Sequence, residues 1–162
     1  MDQLEIAKQD SGTAFELEQF FRYQIRVFYR DVTQALSAVY QRDYDLSPAE
    51  WRTMAILAAA PIGLQAGEIV ARSSMDKVVV SRAVKRMKER GLLEREANAV
   101  DGRSYLVKLS EKGLAAHDDL VPKLLEVEQK MLAGLDGDKI KSALSVMQKI
   151  RRNLEELADK DI

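Results

Sequence analysis

The sequence predicts a mainly α-helical fold carrying one small β-hairpin. Three observations lead there. Helix formers dominate, and only three prolines fall among 162 residues. Apolar residues recur at spacings of three and four along most of the chain, the period of an amphipathic helix. One stretch departs from that period: after Gly91, two short runs flank an Asp101-Gly102 turn signal, as in a hairpin.

The bulk numbers narrow the function classes. One domain is the default at this length. The formal net charge is −1, so affinity for a polyanion has to come from local charge separation. Cysteine is absent, which excludes disulfides, thiolate metal sites, thiol redox sensing and cysteine nucleophiles. No apolar run spans a bilayer, and the polar first residues do not form a signal peptide, so a cytoplasmic protein without a membrane partner is expected.

Taken in order, residues 1 to about 12 are polar and read as a loose or partner-contacting arm. A long helix is predicted from Thr13 to about Gln41, with Phe21, Ile25, Phe28, Val32, Leu36 and Val39 in one stripe. Phe20, Tyr23, Tyr29 and Tyr40 widen it, so this helix needs more than one neighbour. Its aromatics suit core packing or the lining of a small-molecule cavity. Asp43-Tyr44-Asp45 breaks the pattern. Leu46-Ser47-Pro48-Ala49-Glu50-Trp51 then starts a second helix, with Ser47 as N-cap, Pro48 in the first turn and Glu50 closing a capping box. Pro61 and Gly63 end it. A short third helix is expected from Leu64 to about Ala71, and Arg72-Ser73-Ser74-Met75 is the turn that follows.

The fourth helix is basic. Asp76 is its N-cap and Gly91 supplies the positive φ beyond its end. Val80, Ala83, Val84 and Met87 fall on one face; Val78, Ser81, Arg82 and Lys85 fall on the other. Over residues 76–90, six cationic and two anionic side chains leave +4. An apolar back and a cationic front are what a helix in a DNA major groove requires, although charge runs are also common on plain surface helices.

The hairpin weighs toward DNA. Leu92 and Leu93 lead into the first strand, the turn region spans Ala97–Gly102, and Tyr105, Val107 and Leu109 alternate in the second strand. Arg103 at the tip, followed by Ser104, is placed to enter a minor groove. Asp101 can brace the hairpin by pairing with Arg95 or Arg103. An ordinary surface hairpin is the plainer reading. Two short helices joined by a tight turn, the second basic, and then a hairpin make a winged helix-turn-helix.

Ser110 caps a further helix reaching about Gly134, which Pro122 should kink or restart. In a last helix, Ile140, Leu144, Met147, Ile150, Leu154 and Leu157 form a stripe. Pairing with a second subunit explains that stripe better than packing on the chain's own first helix, because twofold pairing supplies a second half-site about 34 Å away. The organisation is therefore an arm and dimerisation helix (1–45), a winged helix-turn-helix (46–109) and C-terminal dimerisation helices (110–162).

These features resemble the MarR family of winged helix-turn-helix regulators over roughly residues 14–158. Leu46–Trp51, Asp76–Arg82, Gly91-Leu92-Leu93-Glu94-Arg95, and Asp101-Gly102-Arg103 followed by Leu109-Ser110-x-x-Gly113 carry the resemblance. It implies a homodimer that binds palindromic or pseudopalindromic duplex DNA, usually as a repressor, and is often released by a small aromatic or phenolic ligand. On that basis Ser74, Lys77, Val78, Ser81, Arg82 and Lys85 are major-groove candidates. Arg103 with Ser104 is the minor-groove candidate, and Asp101 and Arg95 support the wing. Tyr23, Arg26, Tyr29, Tyr44 and Trp51 are candidates for an effector pocket.

Two rival classes are weaker. An enzyme would need a metal cluster, a phosphate-cradling loop or an activated nucleophile, and none is visible, so no cofactor is expected. His117, the single histidine, reads as a surface or interface residue. A helical interaction protein without DNA binding leaves the cationic face unexplained. An activator uses the same surface as a repressor.

Overall fold

The structure, a computed structural model, describes residues 16–97 and 104–158. Among these are six α-helices and a two-stranded antiparallel sheet: α1 (Phe21–Tyr44), α2 (Pro48–Ala58), α3 (Ala66–Ser73), α4 (Lys77–Glu89), β1 (Leu93–Ala97), β2 (Tyr105–Leu109), α5 (Glu111–Met131) and α6 (Gly137–Ala158). The expected helical class with a small wing is what forms. The expected arm, the hairpin turn, Asp101 and Arg103 lie outside the described residues.

The first helix differs from its expected span. A 3-10 turn over Leu17–Gln19 precedes it, and Phe20 is extended, so α1 starts only at Phe21. It then continues past Gln41 to Tyr44. Asp45 stops it by adopting a left-handed conformation (φ 48°), with its N–H donating to the Gln41 carbonyl at 2.9 Å. Asp43 and Tyr44 therefore belong to the helix that they were expected to break.

The start of α2 is as predicted. Ser47 Oγ accepts from the Glu50 N–H at 3.2 Å, and Glu50 Oε2 accepts from the Ser47 N–H at 2.8 Å. Leu64 was expected to open the third helix, yet it pairs as a strand. Its N–H donates to the Val107 carbonyl at 2.9 Å, and the Val107 N–H donates back at 2.8 Å. Gly63 (φ 96°) permits this approach, since a Cβ there would lie 3.0 Å from the Val107 carbonyl oxygen. The helix begins instead at Ala66, where Glu68 accepts from the Gln65 N–H at 2.8 Å, and it takes in Ser73. The turn shortens to Ser74–Asp76.

The chain divides into two compact units, Met1–Lys123 and Leu124–Ile162. The first is built around fully buried Leu46, Met54, Leu57, Ile69, Met87 and Leu120. Each such side chain contributes about 1.5–3 kcal/mol by leaving water. α4 ends in a Schellman closure: the Leu92 N–H donates to the Met87 carbonyl and the Gly91 N–H to the Lys88 carbonyl, both at 2.9 Å, with Gly91 at φ 70°. That closure aims the chain into β1, which pairs Leu93 with Leu109 and Arg95 with Val107.

Ser110 joins the wing to α5. Its hydroxyl donates to the Gly91 carbonyl at 2.7 Å and accepts from the Gly113 N–H at 3.0 Å. Gly113 is required by proximity, because a Cβ there would lie 2.1 Å from the Leu92 carbonyl oxygen. α5 runs unbroken through Pro122 rather than restarting there. In the second unit, Asp136 caps α6 by accepting from the Asp138 N–H at 3.0 Å, and no residue of α6 is buried.

Candidate nucleic-acid interface

Helix α4 is positioned from both ends and from behind. Asp76 Oδ1 accepts from the Val79 N–H at 2.9 Å. Val80, Ala83, Val84 and Met87 are buried, while Val78, Ser81, Arg82 and Lys85 are exposed, as the helical wheel predicts, and Lys77 is exposed beside them. Val78 is 57% exposed on the cationic face.

Five of the six cations of the helix region divide into two sets that the charge count does not separate. Arg86 lies 3.4 Å from Glu50, whose side chain is 1% exposed. Glu50 thus closes the α2 cap with one oxygen and faces α4 with the other. Arg90 donates to the Asp45 carbonyl at 2.9 Å and to the Tyr44 carbonyl, tying the end of α4 to the end of α1. These two arginines serve the fold. Lys85 makes only a long exposed contact with Glu89 at 3.9 Å, and Lys77 and Arg82 form no ion pair among the described residues. The positive charge available to a partner therefore faces outward.

A groove of about 770 Å³ runs between α3, α4 and the sheet. Val70, Val80, Val84 and Val107 form its apolar part, and Lys77, Ser81, Lys85 and Arg95 join them in lining it. The structure thus brings wing residue Arg95 together with three of the helix candidates. Arg95 is exposed on β1, while Glu96 on the same strand pairs with Lys108 at 2.7 Å. Val78 and Arg82 sit on α4 outside the groove lining. Ser74 is exposed in the turn, in a left-handed conformation (φ 53°), and Ser104 precedes β2.

The effector candidates fall into separate environments. Trp51 is stacked between Tyr40 (centroids 6.0 Å) and His117 (5.9 Å). His117 Nδ1 also lies 3.0 Å from Asp118. The Tyr44 hydroxyl donates to Asp119 at 3.1 Å, beside the ion pairs that Lys123 makes with Asp43 (2.9 Å) and Asp119 (2.6 Å). Tyr29 is exposed and accepts from Arg52 at 3.5 Å, and that hydrogen bond holds its phenol below the ordinary value. Tyr23 is half-buried and Arg26 exposed on the same helix. Arg52, Arg90 and the Arg86–Glu50 ion pair are the structural contacts that the sequence reading missed, because each joins residues remote in sequence.

A capped helix pair, an outward-facing cationic second helix and an adjoining hairpin define a winged helix-turn-helix protein. Comparison with known proteins agrees. Residues 44–104 match the sequence profile of the MarR family. A MarR-family transcriptional regulator from Silicibacter pomeroyi is 27% identical, with 85% of this chain and 92% of that one aligned at a TM-score of 0.68. The PcaV transcriptional regulator from Streptomyces coelicolor, solved with its natural ligand, is 21% identical over 86% and 97% of the chains at 0.75. MepR from S. aureus, solved as a DNA complex, is 18% identical over 83% and 98% at 0.75. No helix among the described residues is long and apolar enough to cross a membrane.

Proposed function

We propose that this chain is a sequence-specific duplex-DNA-binding transcriptional regulator, acting as a homodimeric repressor that a small aromatic or phenolic ligand releases. The observation that carries the reading is α4: its apolar side is buried, and its cations not used by the fold point into solvent beside a hairpin. Arg82 and Lys85 reach base edges or phosphates, Val78 meets a thymine methyl, and Arg103, with Asp101 positioning it, enters the minor groove. MepR with DNA and PcaV with its ligand share the fold, which supports both halves of the reading. Such a protein works beside the chromosome in the cytoplasm and performs no catalysis.

The dimer reading rests on faces that one chain leaves uncovered. Phe21, Ile25 and Phe28 of α1 are exposed, and so are Leu144, Met147, Leu154 and Leu157 of α6. On each helix, exposed apolar side chains at helical spacing mark an interface.

A gel shift with genomic fragments tests the reading. Retarded fragments should share a twofold sequence, and binding should weaken steeply as salt rises. Absence of retardation at low salt contradicts it. For the ligand, Trp51 is the single tryptophan and is stacked on both faces. Its fluorescence should change when an effector aromatic acid enters, and the same compound should dissociate the DNA complex.

A further inference from the structure

From α2, Arg52 hydrogen-bonds both to α1 and to the last residue of α3, just before the turn into α4. Its Nη1 donates to the Ser73 carbonyl at 3.3 Å, and its Nη2 donates to the Tyr29 hydroxyl at 3.5 Å. Ser73 is the last residue of α3 and is 2% exposed. Its hydroxyl donates to the Val70 carbonyl (3.1 Å) and accepts from the Met75 N–H (3.2 Å). The very next residue, Ser74, carries the left-handed conformation that turns the chain toward Asp76 and α4. A helix end leaves its last carbonyls without intrahelical donors, and a guanidinium satisfies one of them with a charge-assisted bond.

We propose that Arg52 is the positioning residue of this turn, gripping the last carbonyl of α3 while tethered to α1 through Tyr29, so that the placement of α4 follows the position of α1. The planar fork matters here. Two N–H groups at fixed angles reach two partners on different helices, which a lysine ammonium reproduces poorly. Tyr29 lies one turn from exposed Ile25 and beside exposed Phe28, on the face left uncovered in a single chain. Whatever covers that face, a second copy or a ligand, acts on the tether first. The contact also supports phenolate formation at Tyr29, which makes the tether visible to titration.

The DNA arm of this inference rests on the reading of α4 as the recognition helix, so the test has a second arm that does not. In the free full-length protein, amide hydrogen exchange at Met75 should quicken about tenfold in Arg52→Gln, while Met54 and Leu57 amides in α2 keep their protection. Tyr29, followed by carbon-13 tyrosine NMR, should titrate at higher pH in that variant. With operator DNA, Arg52→Gln should bind about tenfold more weakly and Tyr29→Phe about threefold. The double variant should be no weaker than Arg52→Gln. The salt slope should stay at the wild-type value, because Arg52 does not touch phosphate. Unchanged Met75 exchange and Tyr29 titration overturn the tether whether or not the protein binds DNA. Wild-type-like DNA affinity in both single variants overturns its link to α4. A lowered salt slope would make Arg52 a DNA contact instead.

Discussion

Arg82 and Arg86 lie one turn apart on α4 and have different tasks. Arg82 faces solvent, and Arg86 faces the buried carboxylate of Glu50 at 3.4 Å. Arg82→Ala should cost about 1–3 kcal/mol in operator binding and relax specificity at one base pair, measured by titration against single-base operator variants. Arg86→Ala should cost about 1–3 kcal/mol of folding stability, since it strands a buried carboxylate whose partner is half in water. Denaturant unfolding measures it, and the DNA salt slope should not move. The wheel correctly assigned Val80, Ala83, Val84 and Met87 to the buried side. It had no means of separating Arg86 from Arg82, because Glu50 sits on another helix. Gly113 is the counterexample: its fixed spacing from Ser110 was visible in the sequence, and the 2.1 Å approach to the Leu92 carbonyl gives its physical reason. Gly113→Ala should destabilise by about 1–3 kcal/mol or more by forcing α5 away from the wing, and thermal unfolding would register that loss.

At the scale of elements, ends governed by local chemistry were legible and ends governed by distant partners were not. Ser47, Asp76 and Gly91 mark boundaries through bonds within a few residues. Leu64 is drawn out of α3 by Val107 on β2, a pairing that no local pattern announces. The C-terminal end of α1 was missed for the same reason: Lys123 from α5 holds Asp43, and Arg90 from α4 takes the Tyr44 and Asp45 carbonyls. The Asp43 carboxyl is lowered from 3.8 to about 2, first by its hydrogen bond to Arg42 and then by Lys123. Asp119 is lowered as well, chiefly by Lys123. A depressed carboxyl stabilises the fold fully above its unfolded value and loses that contribution as pH falls through its folded value. The α1–α5 clasp should therefore hold above about pH 4 and weaken toward pH 2. Lys123→Met should lower the melting temperature at pH 7, and the gap to wild type should close on acidification across that window. A gap constant with pH would mean that Lys123 contributes through packing alone.

At the scale of the molecule, the apolar stripe of α1 was visible in the sequence, and what covers it was not. Only Val39 and Tyr40 of α1 are buried, while Phe28 remains 60% exposed. The amphipathic stripe of α6 also stays in solvent. Under the dimer reading, Leu154→Glu in α6 should shift the protein from dimer to monomer in size-exclusion light scattering. DNA affinity should fall at the same time, although α4 is untouched. A single winged helix reads too few base pairs for tight specific binding, and pairing two copies sets half-sites about one helical turn apart. Selection of bound duplexes from a random-sequence library by the purified full-length protein tests this most directly. The account predicts enrichment of one twofold-symmetric sequence with half-site centres about 10 base pairs, or a multiple of that, apart. An enriched pool without symmetry, or no enrichment above background at low salt, would contradict it.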